Sequence, residues 1–220
     1  MSKQIMKRMD HRGFTLIELL VVVTIIGILA GLAVPGINKA LNTAKQTADV
    51  ANVRQLGLIL FTLANEENGS FPSGGLEDSG TRTDASSSSQ FFMSLLRSKE
   101  LTEPKLIWGN SAKPKTDVGT TANASLQLTR DNLAFNYVKG LSTSSESQIP
   151  LLVSRGAYST AAEFSQGKTL NANNVWGTQG VVAYTIGNSA IWVKATAKVV
   201  KPFYNTDDVD LPSDALLLQD

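Results

Sequence analysis

Apolar residues follow one another almost without interruption from Phe14 to Pro35, and beyond that they recur at every third or fourth position as far as Ala64. In the carboxyl-terminal half the period shortens and short β-rich runs take over. About 22 residues, at a helical rise of about 1.5 Å each, give roughly 33 Å, enough to cross the hydrocarbon of a bilayer. After Pro35 one face is traced by Ile37, Ala40, Leu41, Ala44 and Ala48, then by Val53, Leu56, Leu60, Leu63 and Ala64. Lys39, Lys45, Asp49 and Arg54 lie off that stripe. Pro35-Gly36 removes one backbone donor, so a bend is expected there, and Asn68-Gly69 supplies a stop. The pattern predicts one helix of about 50 residues, spanning in its first half and carrying a head on its second.

Phe71-Pro72 follows that helix, and residues 74–89 are rich in Gly, Ser, Thr and Asp, which reads as a surface loop. Ser86, Ser87, Ser88 and Ser89 could accept a sugar, although a plain solvated loop explains them as well. Phe91, Phe92, Leu95 and Leu96 predict a short amphipathic helix, ended near Pro104, and residues 111–125 are again small and polar. Strands are expected over 133–138 and 149–153, separated by a Ser-rich turn. The clearest element is a hairpin of 181–186 and 189–194 turning tightly on Gly187-Asn188, with a last strand at Val199-Val200. The expected fold class is α+β, a long amino-terminal helix packed on a carboxyl-terminal antiparallel sheet.

With 220 residues the chain has room for an anchor and one domain, and with no cysteine it has no disulfide, thiolate metal site or Cys nucleophile. The one histidine, His11, precedes the apolar run, so no Ser-His-acid triad or His metal site is expected in the head. No phosphate-binding Gly-rich loop occurs, and no enzyme is expected. The formal charge of +1 carries no nucleic-acid footprint. Lys3, Lys7, Arg8 and Arg12 all precede the apolar run, which places the amino end in the cytoplasm and the remainder outside.

Two polar residues interrupt the spanning stretch. Thr24 can return its hydroxyl to a helix carbonyl. Glu18 cannot hide so easily, and a carboxylate at that depth is read as functional. The run Gly13-Phe14-Thr15-Leu16-Ile17-Glu18, behind a basic leader, resembles the processing site of type IV prepilins and type II secretion pseudopilins. The resemblance covers roughly residues 7–70 well and the rest in outline, and Pro35 falls where such helices kink. It implies a pilin-like head, cleavage after Gly13 by a membrane prepilin peptidase, and methylation of the new Phe14 amine. It further implies that Glu18 pairs with the Phe14 amine of a neighbour in a fibre. Loss of residues 1–13 removes +3 and would leave the chain at −2. The implied partners are other pilins or pseudopilins, an inner-membrane assembly platform and a separate ATPase. The implied location is the inner membrane, one pass, with the head periplasmic or extracellular.

Gly27 and Gly31, one turn apart, would let a second helix approach closely, or are incidental glycines of a spanning helix. The division expected is a cleaved leader at 1–13, a polymerisation helix at 14–35, its amphipathic continuation at 36–69 and an exported head at 70–220. A type II secretion pseudopilus subunit is favoured, since many exported type IV pilins pin a loop with a disulfide that this chain cannot form. The alternative is a type IV pilin working in adhesion, motility or DNA uptake. The carboxyl-terminal half also looks like prepilin-type proteins whose final hairpin follows a Pro-Leu-Leu stretch, here Pro150-Leu151-Leu152. Their Asp-Gly-His turn is replaced here by Gly187-Asn188-Ser189.

Three other readings remain. A secretory signal peptide could be cut after Gly31-Leu32-Ala33, against which stand Glu18 and Pro35. A monomeric anchored domain could bind ligand through exposed Trp176 or Trp192. In the tail, Asp207, Asp208 and Asp210, with Asp214 and Asn205 near, offer hard oxygens of the kind that suit Ca²⁺, although a solvated acidic tail explains them too and no other cofactor is expected.

Overall fold

The structure, a computed structural model, describes residues 14–109 and 128–219. The expected leader with His11 and Gly13, and the irregular stretch at 111–125, lie outside the described residues. The chain divides into two units, Met1–Thr43 and Ala44–Asp220.

One helix, α1, runs Leu16–Glu66 over 51 residues and stays helical through Pro35 and Gly36. Its end falls where the sequence puts the stop. The Gly69 amide returns to the Ala64 carbonyl at 2.8 Å, and Asn68 and Gly69 take φ of 54° and 89°, the left-handed turn that closes helices. Every described residue from 14 to 43 is exposed.

In the second unit α1 turns one face inward through Asp49, Val53, Leu56, Gly57, Leu60, Leu63 and Ala64. The apolar stripe is therefore as expected from Val53 onward, but Asp49 is corrected: it lies on the buried face, fully inside. Its position, four residues before Val53, fits the period, and only its charge argued for solvent. Asp49 is engaged in the interior, where a Cβ on Gly109 would come within 2.6 Å of its Oδ1.

The head is an antiparallel sheet of five strands in the order β5-β4-β2-β1-β7. These are β1 Phe135–Lys139, β2 Pro150–Ser154, β4 Gly180–Thr185, β5 Ser189–Lys194 and β7 Leu216–Leu217. Two further short strands, β3 Lys168–Thr169 and β6 Val199–Val200, pair with each other. Val199-Val200 is thus a strand, but it belongs to a separate ribbon. β7, for which the two leucines gave no alternation, closes the sheet against β1.

The hairpin β4–β5 keeps the expected strands with a corrected turn. Thr185 pairs with Ser189, so the loop holds three residues, Ile186, Gly187 and Asn188. Ile186 instead gives its amide to the Ile149 carbonyl at 3.0 Å, and Asn188 takes the left-handed φ of 57° that the turn requires.

The expected short helix is α2, Ser88–Arg97, with Ser87 capping it and Phe91, Phe92, Met93 and Leu95 buried. A four-residue helix, α3, follows Pro104 at Lys105–Trp108. The stretch 74–89 is more than a surface loop. Gly74, Gly75 and Ala85 are buried, and Arg82 lies 2.8 Å from Glu67 through Nε and 2.8 Å from Glu100 through Nη1. Ser88, also buried, bridges a gap in the ladder: its Oγ accepts from the Tyr137 amide at 3.1 Å and donates to the Leu218 carbonyl at 2.8 Å.

Helix and sheet are in close contact at Gly57, where a Cβ would stand about 2.1 Å from the ring of Tyr184. That ring is held by its hydroxyl, which donates to Asn188 Oδ1 at 2.6 Å, and by the edge of Phe61. Glycine inside a helix ordinarily costs about 1 kcal/mol relative to alanine; at this contact the sign reverses. Gly57→Ala is expected to lower stability by about 1–3 kcal/mol, read by denaturant unfolding of the full chain in detergent. Pairing it with Tyr184→Leu should recover part of that loss. Ser88→Ala should cost about 1–3 kcal/mol in the same assay, since it leaves a buried amide and carbonyl without partners.

Candidate assembly site at the amino end of the long helix

Thr15 stands immediately before the first helical residue, and Glu18 is the third residue of α1. A Thr-x-x-Glu spacing at a helix start forms a reciprocal cap, and the side chains here make one. The Thr15 amide donates to Glu18 Oε2 at 2.9 Å, and the Thr15 hydroxyl donates to the same oxygen at 2.7 Å. In return the Glu18 amide donates to Thr15 Oγ1 at 3.3 Å. Helix amides left over at this end also favour a negative charge in the first turn. The carboxylate is therefore partnered inside its own helix, a contact that the sequence reading missed although the spacing was visible.

Around this cap the surface is apolar. Phe14 is 78% exposed, and Leu16, Ile17, Leu19 and Leu20 are exposed with it. Thr24 returns its hydroxyl to the Leu20 carbonyl at 2.7 Å, as its place in an apolar helix demands. At Gly27 and Gly31 an added Cβ would meet nothing within 4 Å, so this flank is open to another helix or to lipid. Pro35 lies inside α1. Gly13 lies outside the described residues. By length and composition α1 can cross a membrane, and none of its most apolar window is buried.

The remaining candidates lie in the head. Trp176 is buried, and its ring meets that of Trp192 edge to face at 5.3 Å; the pair fills the sheet surface beside Gly180, whose Cβ would stand about 2.6 Å from the Trp192 ring. Asp207, Asp208 and Asp210 are not gathered, and no group of three or more His, Cys, Asp or Glu among the described residues could hold a metal ion. An open cleft of about 960 Å³ runs beside α2, between Ser87, Gln90, Ser94 and Arg97 and the stretch 75–79. It offers hydroxyls and carboxylates without an imidazole or thiol among them.

Compared with known proteins, the chain matches a family model described as the prokaryotic N-terminal methylation motif, over residues 8–34. That is the signal motif of type IV pilins and pseudopilins, and it contains Gly13, Phe14, Thr15, Glu18, Gly27 and Gly31. No curated protein and no solved structure matches the chain.

Proposed function

Taking the amino-terminal methylation motif at residues 8–34 as the premise, we propose that the chain is the precursor of a fibre subunit anchored by α1 in the inner membrane. A prepilin peptidase cuts it after Gly13 and methylates the Phe14 amine. The subunit then polymerises with pilin-like partners through its amino-terminal helix. The observation that carries this reading is that the matched motif opens a helix whose every residue from 16 to 43 is exposed. An apolar surface of that length needs lipid before assembly and other helices after it. Gly27 and Gly31 supply the close approach between those helices, and Pro35 lies inside the same helix.

Pili and pseudopili share the motif. The absence of cysteine favours a type II secretion pseudopilus, a short fibre that moves exported proteins, over a surface pilus. The head then serves as the structural body of the subunit, on the outer side of the membrane, with the ATPase residing elsewhere.

In lipid an acidic residue near a helix centre costs about 3 kcal/mol, less toward the ends. Glu18 is retained for its pairing with the amine of the next copy, which fixes register. Glu18→Leu should therefore insert and be processed as the unmodified chain is, yet be excluded from fibres, as read by mature subunit in the membrane against subunit in sheared polymer. Normal polymer from that variant would contradict the pairing.

A further inference from the structure

Where α1 ends, the chain reads Glu66-Glu67-Asn68-Gly69-Ser70. Asn-x-Ser, with x other than proline, is the frame in which an asparagine accepts a sugar. A carboxylate two residues ahead of the asparagine, here Glu66, is the further element that the bacterial class of oligosaccharyltransferase requires of its acceptors. The chain holds one other Asn-x-Ser, Asn123-Ala124-Ser125, and there Thr121 stands in the place of the acid.

The fold leaves the groups of the first frame open. Glu66, Asn68 and Ser70 are exposed. Among the described residues, neither the Asn68 carboxamide nor the Ser70 hydroxyl enters a hydrogen bond. Asn68 stands in a left-handed turn, φ 54°, that the Gly69 amide fixes by donating to the Ala64 carbonyl. The turn therefore uses the backbone of Asn68 and has no use for its side-chain amide. By contrast, Asn132, Asn136 and Asn174 are buried, and Asn188 Oδ1 is taken by the Tyr184 hydroxyl. Asn65 and Glu66 beside Asn68 are exposed as well, so a bulky hydrophilic group there displaces nothing from the core.

We infer that Asn68 is an N-glycosylation site, taking an oligosaccharide from a polyprenyl-pyrophosphate donor on the exported side of the membrane. In the transfer the carboxamide nitrogen attacks C1 of the first sugar. The N–C1 bond forms as the bond from C1 to the pyrophosphate oxygen breaks; the lipid pyrophosphate leaves with that electron pair, and the amide gives up one proton. Glu66 and Ser70 are recognised by the transferase and stay unmodified. In the folded head the Ser70 amide donates to the Glu67 carbonyl at 3.1 Å, and the Gly69 carbonyl accepts from the Thr143 amide at 2.8 Å. The transferase therefore meets this segment before Thr143 docks on it. Nothing of the fibre reading is needed for this beyond export of the head.

The test is glycopeptide mapping, with intact mass, of the full chain recovered from the membranes of the cells that make it. An oligosaccharide is expected on the peptide that contains residues 66–70. Ser70→Thr should carry it as the unmodified chain does, and Ser70→Ala should lose it. Ser70→Ala retains Asn68, Gly69 and the backbone bonds of the turn, so its thermal unfolding should match that of the unglycosylated parent chain. In Glu66→Gln the occupied fraction should fall about tenfold, the factor for one hydrogen bond to a charged group.

The site is refuted if Asn68 of the unmodified sequence is bare or altered only by hydrolysis of its amide, if Ser70→Ala keeps the sugar, or if Glu66→Gln is fully occupied. Processing is read from the same masses. A bare Asn68 in a chain cut after Gly13 removes the glycosylation site and leaves the fibre reading intact. A sugar on a chain that begins at Met1 does the reverse.

Discussion

An apolar helix surface that stays exposed among the described residues is the constraint on which the other features depend. From Leu16 to Leu41 the large apolar side chains of α1 are exposed, whereas soluble monomers rarely leave apolar patches larger than a few hundred Å² open to water. The same helix, continued past Ala44, buries one face in its own head. A single run of hydrogen bonds therefore serves two environments. One half has its partners within the chain, and the other half has to find them outside it.

That division explains which polar residues each half carries. In the exposed half Thr24 bonds back to Leu20 and Glu18 is held by Thr15, so each interruption is satisfied within one turn. In the buried half the exceptions are set by packing. Gly57 occurs because the ring of Tyr184 occupies the space that a side chain would take. Asp49 lies on the inward face near Gly109, whose left-handed φ of 56° and proximity leave no place for a Cβ. Arg82 then ties the end of the helix, through Glu67, to Glu100 beyond α2.

Elements with a strong local signal were legible in the sequence. The long helix, its stop at Asn68-Gly69, α2, β1, β2 and the strands of the last hairpin all follow from periodicity and turn residues. What was not legible depends on distant partners. β7 is two leucines that become a strand only because β1 lies beside them. The turn at 186–188 widened because Ile186 is claimed by Ile149. Residues 74–89 resembled a free loop until Arg82 and Ser88 found partners elsewhere in the chain. At the amino end of α1 the residue types were legible, but the cap between Thr15 and Glu18 was hidden by its overlap with the methylation motif.

Intact mass and amino-terminal sequence of the protein recovered from membranes read the processing site itself. A chain that begins at Phe14 and carries a methyl group on its amine is expected. A chain that begins at Met1, or one cut near Val34 and released from the membrane, would contradict it.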